Sequence, residues 1–139
     1  MNRHQEEAKE YLSQAFRIDC RIHSKMEQIS SLNDLATSVT VTYTDMPGSG
    51  NRNIDRMEKA IAAIVDLEAE IGEDVCRLVE TKRNISHIIK SVGDPECQTL
   101  LELRYLCFKT WEEIAVEMGY CIDNVYRIHR KALCMVRLL

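Results

Sequence analysis

Two prolines and five glycines are all that interrupt 139 residues. So few helix breakers leave room for very long helices and argue against a chain of short strands and tight turns. No apolar run approaches the length that a membrane-spanning helix needs, so no membrane partner is expected. The opening MNRHQEEAKEYL is charged where a secretory leader would be apolar. The six cysteines form no C-x-x-C pair and lie scattered through helical patterns, which points to reduced thiols and a cytoplasmic location. Cys20 and His23 sit one helical turn from each other, but two ligands alone do not hold a metal ion, so no metal or cofactor is expected. Paired catalytic carboxylates and nucleophile–base spacings are also missing, and the expectation is a protein that is not an enzyme.

What is present begins with two heptad seams. In 5–37, Ala8, Tyr11, Ala15, Ile18, Ile22, Lys25, Ile29, Leu32 and Ala36 alternate steps of three and four. In 54–92 the same alternation runs through Ile54, Met57, Ile61, Ile64, Glu68, Ile71, Val75, Leu78, Lys82, Ile85, Ile89 and Val92. Each segment predicts a helix of about 50 Å, too long for one small globule. The expectation is an antiparallel coiled-coil hairpin over 1–93. In the register that faces Ile22 with Ile71 and Ile29 with Ile64, Lys25 meets Glu68 as one polar layer. In that register Cys20 and Cys76 both point outward, so they are not expected to pair. The connection, 38–53, combines an alternating stretch at Val39, Val41 and Tyr43 that reads as a short strand with a DMPGSGN turn cluster. It is read either as a plain tip or as a surface for a partner or a second copy.

The segment 94–139 has a different character. Asp94 and Pro95 suit the start of a helix that carries Leu100, Leu103 and Leu106 inward. Thr110 and Glu113 have capping-box spacing ahead of Trp111, Ile114, Ala115 and Met118, and Gly119 stands where that helix must stop. A last helix follows, with Val125, Ile128, Ala132 and Leu133 inward. Two short helices joined by a glycine turn predict a helix-turn-helix. The net charge of −4 looks wrong for a nucleic-acid binder, but its distribution matters more. Basic and acidic residues number 12 and 15 in 1–93, 0 and 3 in 94–103, and 6 and 4 in 104–139. Within 120–139 there are four basic residues and one acidic.

The outward residues of the last helix are read as Asn124, Tyr126, Arg127, His129, Arg130 and Lys131. Those near the helix start are candidates for base edges in a major groove, Asn124 for adenine and Arg127 for guanine. Arg130, Lys131 and Arg137 suit phosphates. Asp123 lies in the same first turn, and the amides at Thr110 and Trp111 are candidates for a further phosphate. Double-stranded DNA is therefore the expected partner, through Thr110, Trp111, Asp123, Asn124, Tyr126, Arg127, Arg130 and Lys131.

PECQTLLELRYLCFKTWEEIAVEMGY (95–120) and VYRIHRKAL (125–133) resemble region 4 of bacterial sigma factors, the module that reads the −35 promoter element. Their leading Pro-Glu, Leu100 to Leu106, Thr110 to Ala115 and Met118-Gly119 carry that resemblance, over about a third of the chain. The whole chain is similar to small phage and prophage proteins with a coiled-coil front, among them the ArpU-type transcriptional regulators. The resemblance implies a DNA-binding transcription regulator in a bacterial cytoplasm, acting as a dimer or with RNA polymerase. Nothing in the chain resembles sigma region 2, so it is not expected to initiate transcription alone. Cys121 stands where a serine or threonine commonly caps the recognition helix, which weakens that cap. The competing expectation is an interaction protein whose hairpin holds a host protein such as RNA polymerase and which leaves DNA alone.

Overall fold

The computed structural model describes residues 1–43 and 50–138, with side chains outside 38–51. Helices are the regular elements among these residues, with no strand. The elements are α1 (Arg3–Leu12), α2 (Gln14–Tyr43), α3 (Gly50–Lys90), α4 (Pro95–Tyr105), α5 (Trp111–Met118) and α6 (Ile122–Met135). No helix among the described residues is long and apolar enough to cross a membrane.

Two expectations of secondary structure are corrected. The helix read over 5–37 is interrupted at Ser13, whose hydroxyl donates to the carbonyl of Lys9 at 2.7 Å. The Ser13 amide bonds the same carbonyl at 3.0 Å, and a serine hydroxyl added to such a bond slightly weakens the helix there. The alternation at Val39, Val41 and Tyr43 belongs to the end of α2 and not to a strand. Periodicity of two over so short a stretch, continuous with a strong helical seam, does not override that seam. Of the DMPGSGN turn cluster, Gly50 and Asn51 open α3 instead of forming a turn, and 45–49 lie outside the described residues.

Local chemistry sets the helix ends. Asn2 and Gln5 exchange bonds in a capping box at the start of α1. Asp94 caps α4 through the amides of Glu96 and Cys97, ahead of Pro95 in the first turn. Gly119 ends α5 with φ of +73°, a left-handed conformation that costs a residue with a Cβ and not glycine.

The chain divides into two compact units. The first comprises Met1–Asp19 and Arg77–Leu139. Its core takes Ala8, Leu12 and Ala15 from the front of the chain, Ile85, Ile89 and Val92 from α3, and Leu100, Leu101 and Tyr105 from α4. Ile114 of α5 and Val125, Ile128, Ala132, Leu133 and Val136 complete it. Buried Gln5 of α1 donates from Nε2 to the carbonyl of Arg130 at 3.0 Å and to Cys134 Sγ at 3.0 Å, which ties α1 to α6.

The second unit is Cys20–Cys76. Here Lys25 of α2 pairs with Asp74 of α3 at 2.6 Å, with Glu70 at 3.6 Å, and Arg21 lies 3.8 Å from Asp74. The expected partner Glu68 is exposed instead. The reason lies in α3, which contains two overlapping heptad frames. Both use Met57, Ile64 and Ile71. One adds Ile61, Glu68 and Val75, and the other adds Ala60, Leu67 and Asp74. The second set is the more buried, and it turns Leu67 inward in place of Glu68. Burying Asp74 is tolerable because Lys25 and Arg21 neutralise it. Ile61 and Val75 remain exposed.

Candidate nucleic-acid interface

The C-terminal part of the first unit is built around α6. Residues recurring every three or four places put Val125, Ile128, His129, Ala132 and Leu133 on the buried side. That side packs on α4, α1 and α5. The opposite side carries Asp123, Tyr126, Arg127, Arg130 and Lys131, all exposed, with Asn124 half-buried beside them. α6 follows the left-handed Gly119 after only Tyr120 and Cys121, so α5 and α6 meet through a tight turn. Cys121 is the N-cap of α6 and makes no side-chain cap bond. The amides of Asn124 and Val125 bond its carbonyl instead.

On the exposed face the two base-contact candidates are linked. Arg127 donates to Asn124 Oδ1 from Nε at 3.0 Å and from Nη2 at 2.6 Å. Arg127 has only donors, so this fixes the Asn124 oxygen as the acceptor and leaves the other end of the amide as the donor. Lys131 pairs with Asp94 at 3.2 Å. The amides of Cys97 and Glu96 together with Lys131 hold the Asp94 carboxyl below its usual range, the Cys97 bond contributing most.

Thr110 is exposed and caps α5 by accepting from the Glu113 amide at 3.2 Å. Its hydroxyl donates to the Glu113 carboxylate at 3.1 Å, which completes a local variant of the capping box. Trp111 is half-buried and held on three sides. The Arg104 guanidinium lies 4.3 Å from its ring centre, the His129 ring 4.5 Å and the Tyr126 ring 5.6 Å. Its ring thus fastens α5 to α6 and sets the angle at which Tyr126 stands.

His129 is corrected from an outward residue to a core one, only 5% exposed. Its Nε2 lies 2.7 Å from the Tyr105 hydroxyl. Burial, helped by the nearby cations Lys9, Arg104 and Arg130, pushes its pKa down to about 4. Burial also raises that of Tyr105, so a protonated phenol and a neutral imidazole share this bond. The signal was available in the sequence, because 129 stands four places after Val125 and three before Ala132. Its charged neighbours Arg130 and Lys131 masked that spacing. Sequence reasoning also missed Asp94 as the counter-ion of Lys131 and Gln5 as the support of the α6 backbone. Both contacts span long stretches of chain and leave no local pattern.

All six cysteines are free. Among the described residues no cluster of three histidine, cysteine or acidic side chains is placed to hold a metal ion. The chain was compared with protein-family models, curated proteins and solved structures, and none matches it.

Proposed function

We propose that the chain is a phage-type transcription regulator that binds duplex DNA through α6 as the recognition helix of a helix-turn-helix, with α2 and α3 forming its coiled-coil hairpin. The observation that carries this reading is the division of α6 into a buried apolar side and an exposed side bearing Tyr126, Arg127, Arg130 and Lys131. A helix seated on a core by one face and offering cationic and amide groups on the other has the shape and charge to enter a major groove. Arg127 and Asn124 are placed at the start of that helix, where base edges come within reach, and Arg130 and Lys131 further along suit phosphates.

The test is titration of the full chain with random-sequence duplex at moderate and at high salt, followed by fluorescence anisotropy. Binding is expected to fall steeply with salt. Arg127→Ala and Arg130→Ala are each expected to weaken it by about 1–3 kcal/mol. Full binding by the double variant would reject α6 as the reading helix.

A second reading rests on Val116 of α5, which is 82% exposed and flanked by Glu112, Glu113 and Glu117. An exposed apolar side chain with Glu112 and Glu113 one turn before it, and with Glu117, itself paired with Lys109, after it, suits a basic protein surface, such as one on RNA polymerase, better than a phosphate backbone. Absence of duplex binding at any salt concentration would favour this reading.

A further inference from the structure

α3 carries more apolar surface than α2 covers. Ile54, Ile61, Val65, Val75 and Val79 are between 41% and 58% exposed. They are not scattered. Ile61, Val65, Glu68, Gly72, Val75 and Val79 follow one another in steps of four and three, the 3.5-residue period of a helix that pairs with another helix. At about 100° per residue this stripe lies roughly a quarter turn around α3 from the seam that faces Lys25 and Ile29. A quarter turn is the angle at which a helix of a four-helix bundle meets its second neighbour.

We propose that the second neighbour is the α3 helix of another copy of this chain, antiparallel to the first. Charge decides for a second copy and for this direction. A parallel pair in register would set Glu68 on the partner's Glu68. An antiparallel pair related by a two-fold axis places Val65 on the partner's Val75, Ile61 on the partner's Val79, and Glu68 on the partner's Gly72, where no side chain opposes it. The ends of the stripe then match in sign. Glu58 meets the partner's Lys82, whose ammonium also lies 4.7 Å over the Phe108 ring, and Asp55, paired with the exposed Lys59 at 3.3 Å in its own chain, meets the partner's Arg83, paired there with Glu80 at 3.6 Å. Each contact occurs twice by symmetry. Ala69 lies nearest the axis, and its small side chain lets the two backbones approach. The contact also joins Met57, Ile64 and Ile71, half-buried in one chain, to a shared interior.

This inference deepens the DNA-binding reading, since two copies present two recognition helices, but it is read without DNA and stands or falls separately. The measurement is sedimentation equilibrium of the full chain, with helix content checked by circular dichroism. A dimer is expected at micromolar concentration. Val65→Asp alters an exposed residue, so helix content is kept while the dimer weakens by at least about a hundredfold, because each new carboxylate would be pressed on the partner's Val75, without the space that Gly72 leaves for Glu68. Asp55→Arg and Arg83→Asp each weaken the dimer about fivefold, and the two together restore it. These residues lie too far from each other along one helix to meet within a chain, so the rescue reports the antiparallel register. A monomer at all concentrations, a dimer indifferent to Val65→Asp, or failure of the paired charge swap to rescue would each overturn the proposal.

Discussion

The two units of this chain bury their side chains very differently. In the first unit, Leu12, Ile89, Leu100, Leu101, Ile114 and Leu133 are wholly shielded from solvent. Among the described residues of 20–76, only Ile22, Ala60 and Asp74 are buried, and one of those is a carboxylate. The contrast follows from geometry. Several short helices meeting at different angles enclose a centre, whereas two long helices side by side leave each seam residue open at its edges. The first unit can therefore hold its shape from its own core. The second relies on seam contacts, the Lys25–Asp74 pair and, in the dimer proposed above, a second copy.

The sharpest way to break this contrast is to delete equal amounts of side chain from the two units. Leu133→Ala in the first is expected to cost about 2–5 kcal/mol. Ile29→Ala, at a half-buried position in the second, should cost about 1 kcal/mol. Urea unfolding followed by circular dichroism reads both. Equal costs would mean that the second unit is as well enclosed as the first.

The first unit also has a pH limit that its core imposes. His129 is held neutral, with a pKa of about 4 in the fold against 6.5 when free. Between those values the unfolded chain takes up a proton that the folded chain refuses. The stabilisation is thus complete above pH 6.5 and is lost as pH falls toward 4. The full shift corresponds to roughly 3 kcal/mol. Unfolding midpoints between pH 7 and pH 4 should fall more steeply for wild type than for His129→Phe. That variant starts lower, because the buried Tyr105 hydroxyl loses its hydrogen-bond partner. Equal slopes would place His129 in solvent.

In the second unit the polar layer is the feature to break. Lys25→Leu takes the nearest cation away from buried Asp74, and should cost about 3 kcal/mol. Replacing both Lys25 and Asp74 by leucine should recover most of that loss. If Lys25→Leu is silent while Glu68→Leu is not, the pairing runs through the other heptad frame.

These frames explain what could be read in advance. The apolar side of α6, the Asp94 and Thr110 caps and the stop at Gly119 are local, written within one or two turns of helix, and they are legible residue by residue. The seam of α3 is not, because Ile61 and Ala60, Glu68 and Leu67, Val75 and Asp74 each offer a plausible inward residue. Only the position of Lys25 on the facing helix decides among them. The break at Ser13 was hidden by a heptad that continues through it. The contact of Gln5 with the α6 backbone joins residues from opposite ends of the chain. On the candidate interface the residue types were legible, and so was the three-residue spacing that joins Arg127 to Asn124 on one helix. Asp94 holding Lys131 was not, because it depends on turns of backbone that the sequence does not spell out.

The last of these contacts gives the smallest predicted effect and separates the two jobs of one side chain. Asp94 caps α4 and also holds Lys131 at 3.2 Å, drawing a cation away from the exposed side of α6. Asparagine is as good an N-cap as aspartate, so Asp94→Asn keeps the helix start while removing the charge. If α6 meets phosphates, Lys131 is then free to reach one, and duplex binding should tighten roughly two- to fivefold, with a slightly steeper salt dependence. Lys131→Ala on that background should abolish the gain. Tightening that survives the loss of Lys131 would mean that Asp94 acts as a general repulsive charge and not as the restraint on that one lysine.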